Sequence, residues 1–261
     1  MAARRSDNED NTTGAPLGLS RTPSDALKEL MRHHPLQRLS SPSRELSLAV
    51  HALGLSSFAY SFWYLTAHPN HINRAYGWHF QYLTIIGLLL ATLTFSFGVF
   101  ADVTLSRRLF QAKNLLSMTS APMSVLISLL YWGLRAIDPE LVVPKELELP
   151  LPPDLSFHLA PAAFLVVDLL LFSPPWTITV GPAFGLSAVI AFGYWFWIEH
   201  CFRQNGFYPY PIFELVGTAG RVGLFGGSAA LMAVNTSALS WVYRMVNRAG
   251  EERVGELKKQ Q

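Results

Sequence analysis

Charge and cysteine are both scarce in this chain. Charged residues make up 15% of its 261 residues, against about a quarter in a soluble domain. Cys201 is the single cysteine, which excludes an intrachain disulfide and a cysteine-based metal site. The formal net charge is only +2, and no Lys/Arg stripe interleaved with aromatics occurs, so no nucleic-acid partner is expected. There is no HExxH or HxxxH spacing for a metal, no GxSxG elbow and no Walker loop. Neither a metal nor a cofactor is therefore expected. After Met1-Ala2-Ala3-Arg4-Arg5-Ser6 the sequence stays polar and shows no apolar core leading to a small-residue cleavage site. No removable signal peptide is expected, and targeting must be read from the interior of the chain.

What is abundant is apolar sequence: 50% of residues are hydrophobic, gathered into runs of about 18–25 residues, the length of a helix crossing about 30 Å of hydrocarbon. Backbone amides in lipid must pair within their own segment, so these runs read as helices. The ten-residue alternation of a membrane barrel is absent. The reading is an all-α, polytopic membrane helix bundle with about six transmembrane helices. The spans run approximately over 45–66, 79–101, 115–137, 155–172, 176–198 and 218–243. The fourth is short and contains Pro161 and Asp168. Three regions follow: a polar, compositionally disordered N-terminal tail over 1–43, a six-span domain over 44–245, and a charged C-terminal tail over 246–261. Within the first tail, Leu27, Leu30 and Met31 fall at helical spacing after Ser24, which fits either a short surface helix or a fluctuating turn.

Basic residues orient the bundle. With both termini cytoplasmic, the inner segments hold fifteen of the twenty Lys and Arg residues, among them Arg107, Arg108 and Lys113 in an expected loop over 102–114. The outer side keeps Arg74, Arg135, Lys145, Arg203 and Arg221, the asymmetry that the positive-inside rule predicts. Trp63, Tyr76, Trp78, Tyr82, Trp132, Trp197 and Tyr210 fall at outer ends, where amphipathic rings prefer to sit. In the sixth span Gly223 and Gly227 form a GxxxG pair, expected to serve close packing inside the bundle rather than a dimer contact.

Polar residues at membrane depth carry functional hypotheses, and here most share one layer. Thr84 lies about 8 Å and His158 about 5 Å in from the outer face, at 1.5 Å per helical residue. Arg135, Asp138, Glu199, His200, Glu214 and Arg221 end or begin spans at that face. Each has a plainer reading. A helix threonine bonds the carbonyl one turn back, a histidine can sit at the interface, and Glu199, His200 and Arg203 can be the wet end of a helix. Asp168 lies deeper, where it pairs across helices or stays protonated. His51 and His79 show no evident partner in the sequence. Spacing alone yields a bundle with a polar outer layer and no activity.

At these polar positions the chain resembles the androgen-induced and androgen-dependent tissue-factor-pathway-inhibitor-regulating membrane proteins. The matching residues are Ala75-Tyr76-Gly77-Trp78, Gln81-Tyr82-Leu83-Thr84, Asp102, the loop from Asp138-Pro139-Glu140 to Pro144-Lys145, His158, Trp197-Ile198-Glu199-His200, Tyr210-Pro211-Ile212-Phe213-Glu214, and Gly220-Arg221 with Phe225-Gly226. The likeness runs from about residue 46 to 243. It implies six-span hydrolases of fatty acid esters of hydroxy fatty acids, with a threonine nucleophile at Thr84 and a catalytic histidine at His158. The chain departs from the family in having Leu155 where a second histidine stands, Glu199 where another stands, a longer Phe202–Tyr208 loop and a long polar N-tail.

The expected chemistry is ester hydrolysis. Thr84 attacks the carbonyl while His158 takes its proton and passes it to the leaving alcohol. Glu199, His200 or Glu214 is expected to orient the imidazole or bind substrate. Arg221 either holds a fatty carboxylate or pairs with Glu214. The partners are a lipid ester and the bilayer, and the endoplasmic reticulum or another endomembrane is the expected site, with the plasma membrane as the alternative. The rival reading is a non-enzymatic multi-pass protein, either a lipid or solute carrier or a scaffold. The absence of visible inverted repeats weighs against a transporter.

Overall fold

The computed structural model describes Leu36, Arg38 and residues 41–174 and 179–259. The Ser24–Met31 patch lies outside them. The fold is all-helical, with no strand among the described residues. Its helices are α1 (Arg44–Ala67), α2 (Leu83–Thr104), α3 (Arg107–Ile137), α4 (Leu151–His158), α5 (Ala160–Phe172), α6 (Val180–Asn205), α7 (Ile212–Leu215) and α8 (Thr218–Lys259). Short 3-10 turns occupy the loops after α1 and α3. The neighbours are α1 with α2 and α5, α2 with α3, α3 with α5 and α8, and α6 with α8.

Each boundary has a local cause. Ser43 caps α1, its hydroxyl accepting from the Leu46 amide at 3.5 Å, which supplies a partner to one orphan N–H of the first turn. Between α2 and α3 the expected thirteen-residue inner loop shrinks to Leu105 and Ser106. Leu105 adopts a left-handed φ of 56°, and the Ser106 hydroxyl caps α3 through the Leu109 amide at 3.4 Å. Arg107, Arg108 and Lys113 therefore ride on a helix rather than in a loop. The expected fourth span is two helices, bent by 41° across Leu159. Pro161 has no N–H for the carbonyl four residues back, and its ring crowds that turn. This break makes His158 the last residue of α4. At the other end of the chain, helix α8 continues to Lys259, into the region read as a tail.

By length and composition four of the described helices can cross a membrane, namely Leu83–Thr104, Arg107–Ile137, Gly181–Asn205 and Thr218–Asn247, and there are five if the bent α4–α5 pair is one broken span rather than a re-entrant loop. Helix α1 makes the difference from the expected six. Its 24 residues extend about 36 Å, but Ser47, His51, Ser56, Ser57 and Ser61 dilute its apolar character. Several of these polar groups are turned inward: Ser47, His51 and Ser61 are buried.

One apolar core joins α1 to α5, with Phe58, Ile85, Leu88, Phe95, Ala121, Phe157 and Leu165 fully or nearly fully buried. A second joins α6, α7 and α8 through Tyr194, Ile198, Tyr208, Phe213 and Phe225. Close helix approach depends on Gly98, where a Cβ would stand 2.7 Å from the His51 ring. The GxxxG pair behaves differently from the expectation: a Cβ on Gly223 or Gly227 would meet nothing within 4 Å. Both glycines are exposed and pack against nothing among the described residues.

At the end of the bundle where α1 begins and α2 ends, a sealed ionic cluster ties four helices together. His51 Nδ1 lies 2.7 Å from Asp102 and its Nε2 lies 3.0 Å from Asp168. Lys113 Nζ bonds both Asp168 oxygens, at 2.7 and 2.9 Å, and the Ser173 hydroxyl at 3.2 Å. Ser47 donates to Asp102 at 2.9 Å. Asp168 is thus the cross-helix pair that its depth suggested, and His51 does have partners. Arg38 closes the cluster from outside by donating to the carbonyls of Leu170 and Ser173.

Candidate active site

The opposite end of the bundle is hollow. Thr84 is the second residue of α2 and is 7% exposed. It borders three spaces. The largest, about 900 Å³, lies between α3, α6 and α8 and is walled by Leu126, Ile127, Leu130, Ile190, Phe225 and Met232, with Tyr131, Tyr194 and Tyr210 as its aromatic polar groups. A second, of about 520 Å³, runs under the outer loops past Asn70, His79, Tyr82, Leu149 and Phe157 to His158. A third, a cleft of about 190 Å³, has Thr84, Ser124 and His158 on its walls. Thr84 and His158, from helices α2 and α4, thus face two common cavities. Their lining is mostly apolar with a few polar groups, as in small-molecule sites.

His158 is held firmly. Its Nδ1 lies 2.8 Å from Asp154 Oδ1 and 3.2 Å from the Asp154 carbonyl. Its ring stacks on Tyr131 with centroids 3.4 Å apart and planes 4° from parallel. Asp154 is held in turn by Arg135 Nη1 at 3.3 Å, and Arg135 also donates to the Tyr131 hydroxyl and to Glu148. With Nδ1 directed at a carboxylate, the neutral imidazole carries its proton there and offers Nε2 as the base.

Asp154 was not among the residues singled out from sequence. Its signal was the i, i+4 spacing to His158 on one helix face. The carboxylates expected to orient the imidazole lie elsewhere. Glu199 pairs with Arg221 at 3.1 Å and accepts from Trp195 Nε1 and the Tyr208 hydroxyl, both at 3.0 Å. Glu214 accepts from the Tyr208 amide at 3.4 Å, and His200 Nε2 meets the Tyr76 hydroxyl at 3.2 Å. Arg221 pairs with Glu199 and donates to the carbonyls of Phe213 and Val216 and to the Thr218 hydroxyl. Glu199, Glu214 and Arg221 brace the junction of α6, α7 and α8, and His200 ties α6 to the loop after α1. None of them lines a cavity that Thr84 borders.

His79 was likewise read as unpartnered, yet its Nε2 lies 3.2 Å from Asn73 Oδ1, and it borders the second cavity. Burial holds its pKa down to about 4, so it is neutral at pH 7. Among the described residues no group of three His, Cys, Asp or Glu side chains is arranged to hold a metal ion.

Several long apolar helices, with an apolar cavity between them, define a multi-pass membrane protein. The particular family follows from comparison: the family model described as FAR-17a/AIG1-like protein matches residues 46–244, and the chain belongs to that family. A UPF0641 membrane protein of Schizosaccharomyces pombe is 35% identical over 179 residues, covering 67% of this chain and 80% of that protein. The androgen-induced gene 1 protein of Homo sapiens is 26% identical over 183 residues, covering 63% of this chain and 75% of that protein. No solved structure matches.

Proposed function

We propose that this protein is a membrane lipid esterase in which Thr84 is the nucleophile, His158 the general base and Asp154 the group that orients the imidazole. The observation that carries this reading is that Thr84 and His158 border the same cleft, while a buried aspartate occupies the far nitrogen of the imidazole. A hydroxyl needs an adjacent base to attack a carbonyl at neutral pH, and a base needs a fixed tautomer. The Thr84 oxygen bonds the ester carbon as its proton moves to His158 Nε2. The alcohol then leaves with that proton, and water repeats the sequence to free the acid. Two apolar cavities meeting at Thr84 suit an ester with two hydrocarbon arms, such as a fatty acid ester of a hydroxy fatty acid. Both termini face the cytoplasm, and the endoplasmic reticulum or another endomembrane is the protein's home.

The test is hydrolysis of the palmitic ester of a hydroxystearic acid by purified protein in detergent. Thr84→Ala and His158→Ala are each expected to abolish turnover with normal expression and an unchanged elution profile. Full activity in either rejects the assignment. A fluorophosphonate adduct on the peptide bearing Thr84 favours the enzyme. The same apolar cavity would also suit a carrier, and absence of an adduct together with lipid uptake into vesicles would favour that reading.

A further inference from the structure

An acyl-transfer site needs more than a nucleophile and a base. As Thr84 attacks, the carbonyl π electrons move onto oxygen, and that negative charge needs a partner in a cavity lined mostly by leucine, isoleucine and phenylalanine. Catalysis in such a place requires a hydrogen-bond donor already in position. Two tyrosine hydroxyls converge on the start of α2. The Leu83 amide lies 3.2 Å from the Tyr194 oxygen and 3.1 Å from the Tyr210 oxygen. Their protons differ in use. Tyr194 donates to the Gln81 carbonyl at 2.8 Å and has none left over. The Tyr210 oxygen accepts from the Leu83 amide and meets the Thr84 backbone and side chain and the Tyr194 hydroxyl, so among the described residues its proton faces other hydroxyls and not a backbone carbonyl.

Three features suit Tyr210 to donation. Its ring borders the large cavity beside Thr84. The amide that it accepts from belongs to the N-terminal turn of α2, where the helix dipole is positive, which strengthens the phenol as a donor. Burial raises its pKa, so the proton stays on at neutral pH. Its ring is fixed edge-on against Tyr82 and Phe213, with centroids 5.4 and 5.6 Å away, so donation demands no reorganisation.

We propose that the Tyr210 hydroxyl is the oxyanion donor of this site, hydrogen-bonding the ester carbonyl oxygen while Thr84 bonds the carbon. The proton remains on Tyr210 throughout, and the electron pair returns to reform the carbonyl as the alcohol departs. This rests on the threonine esterase reading above. It goes beyond that reading in assigning a third reacting contact and in separating two tyrosines that look alike in sequence.

The test compares Tyr210→Phe, Tyr194→Phe and Thr84→Ala in the full chain with the same branched ester. Tyr210→Phe is expected to lower kcat about 10²–10³-fold, the usual loss for one oxyanion donor, with KM changed less than about threefold because the donor acts on charge that develops only in the transition state. Tyr194→Phe should leave kcat within about tenfold, since its proton serves a backbone carbonyl. A Tyr210→Phe enzyme with near-normal kcat, a loss carried by KM alone, or equal losses in both tyrosine variants overturns the assignment. If Thr84→Ala keeps full activity, the esterase reading itself has failed. If it is inactive while Tyr210→Phe is active, only this inference has. Should Tyr210→Phe elute as aggregate, 3-fluorotyrosine at position 210 decides. Its more acidic phenol should preserve turnover and move the alkaline limb of the kcat profile to lower pH, and an unmoved limb overturns the proposal.

Discussion

Two buried histidines, His51 and His158, each sit within hydrogen-bonding distance of aspartate, but only His158 borders open space. His51 has both nitrogens committed, to Asp102 and Asp168, with Lys113 completing the set, and it lines none of the three cavities around Thr84. His158 has Nδ1 on Asp154 and faces two cavities. Burial and a carboxylate partner are therefore not enough to make a reactive imidazole. A nitrogen left over, and room beside it, are also needed. The buried cluster joins α1, α2, α3 and α5 and fixes which helices meet.

Exchanging the properties of the two sites gives the sharpest tests. The largest effect falls on turnover: Asp154→Asn should lower kcat for the branched ester about 10²–10⁴-fold, the range for general-base catalysis, with thermal stability nearly unchanged. Equal activity would remove Asp154 from the site. Next comes the sealed cluster. Lys113→Met alone leaves a charge on Asp168 that is buried and short of its cation, which should cost about 3–5 kcal/mol in detergent unfolding. Pairing it with Asp168→Leu should recover much of that loss. A double variant no better than the single one would mean that the ions stabilise in their own right. Gly98→Ala, which presses a methyl group into the His51 ring, should cost about 1–3 kcal/mol by overpacking, measured the same way.

A smaller effect separates His79 from both. Its folded pKa of about 4 lies below the usual value near 6.5, so between those pH values the unfolded chain binds the proton more readily. Stability should be flat above about pH 6.5 and fall as the pH is lowered toward 4, and His79→Gln should flatten that part of the curve. The smallest effect is expected at Gly223. Replacement by Ala meets open space and should raise helix stability by less than about 1 kcal/mol. A marked loss would mean that this face contacts another chain.

The helices were legible because lipid demands long apolar runs, and five of the six expected spans correspond to apolar helices or the bent pair. The exceptions have physical causes. Helix α1 turns its polar side inward, so it fails as an apolar run although it packs like its neighbours. The loop before α3 vanished because Ser106 caps a helix that charge had suggested was a loop. Counting residues along the expected spans put Thr84 and His158 at one end of the bundle, where they border the same cleft. Counting could not divide that end into a hollow half and a braced half, which is why Glu199, Glu214 and Arg221 were grouped with it. Those side chains satisfy one another across α6 and α8, a pairing that depends on tertiary distance. Asp154 was within reach of helical spacing alone, one turn before His158.

The break at Leu159 has one more consequence. Helix α5 has thirteen residues, about 20 Å of rise, and so falls roughly 10 Å short of the hydrocarbon slab. The rest of that crossing belongs to α4, which carries the imidazole at its inner tip. In the proposed reaction, with the pair crossing as one broken span, proton transfer takes place below the headgroups, among acyl tails. A greasy molecule dissolved in that leaflet could meet the base by sideways diffusion, without first passing through water.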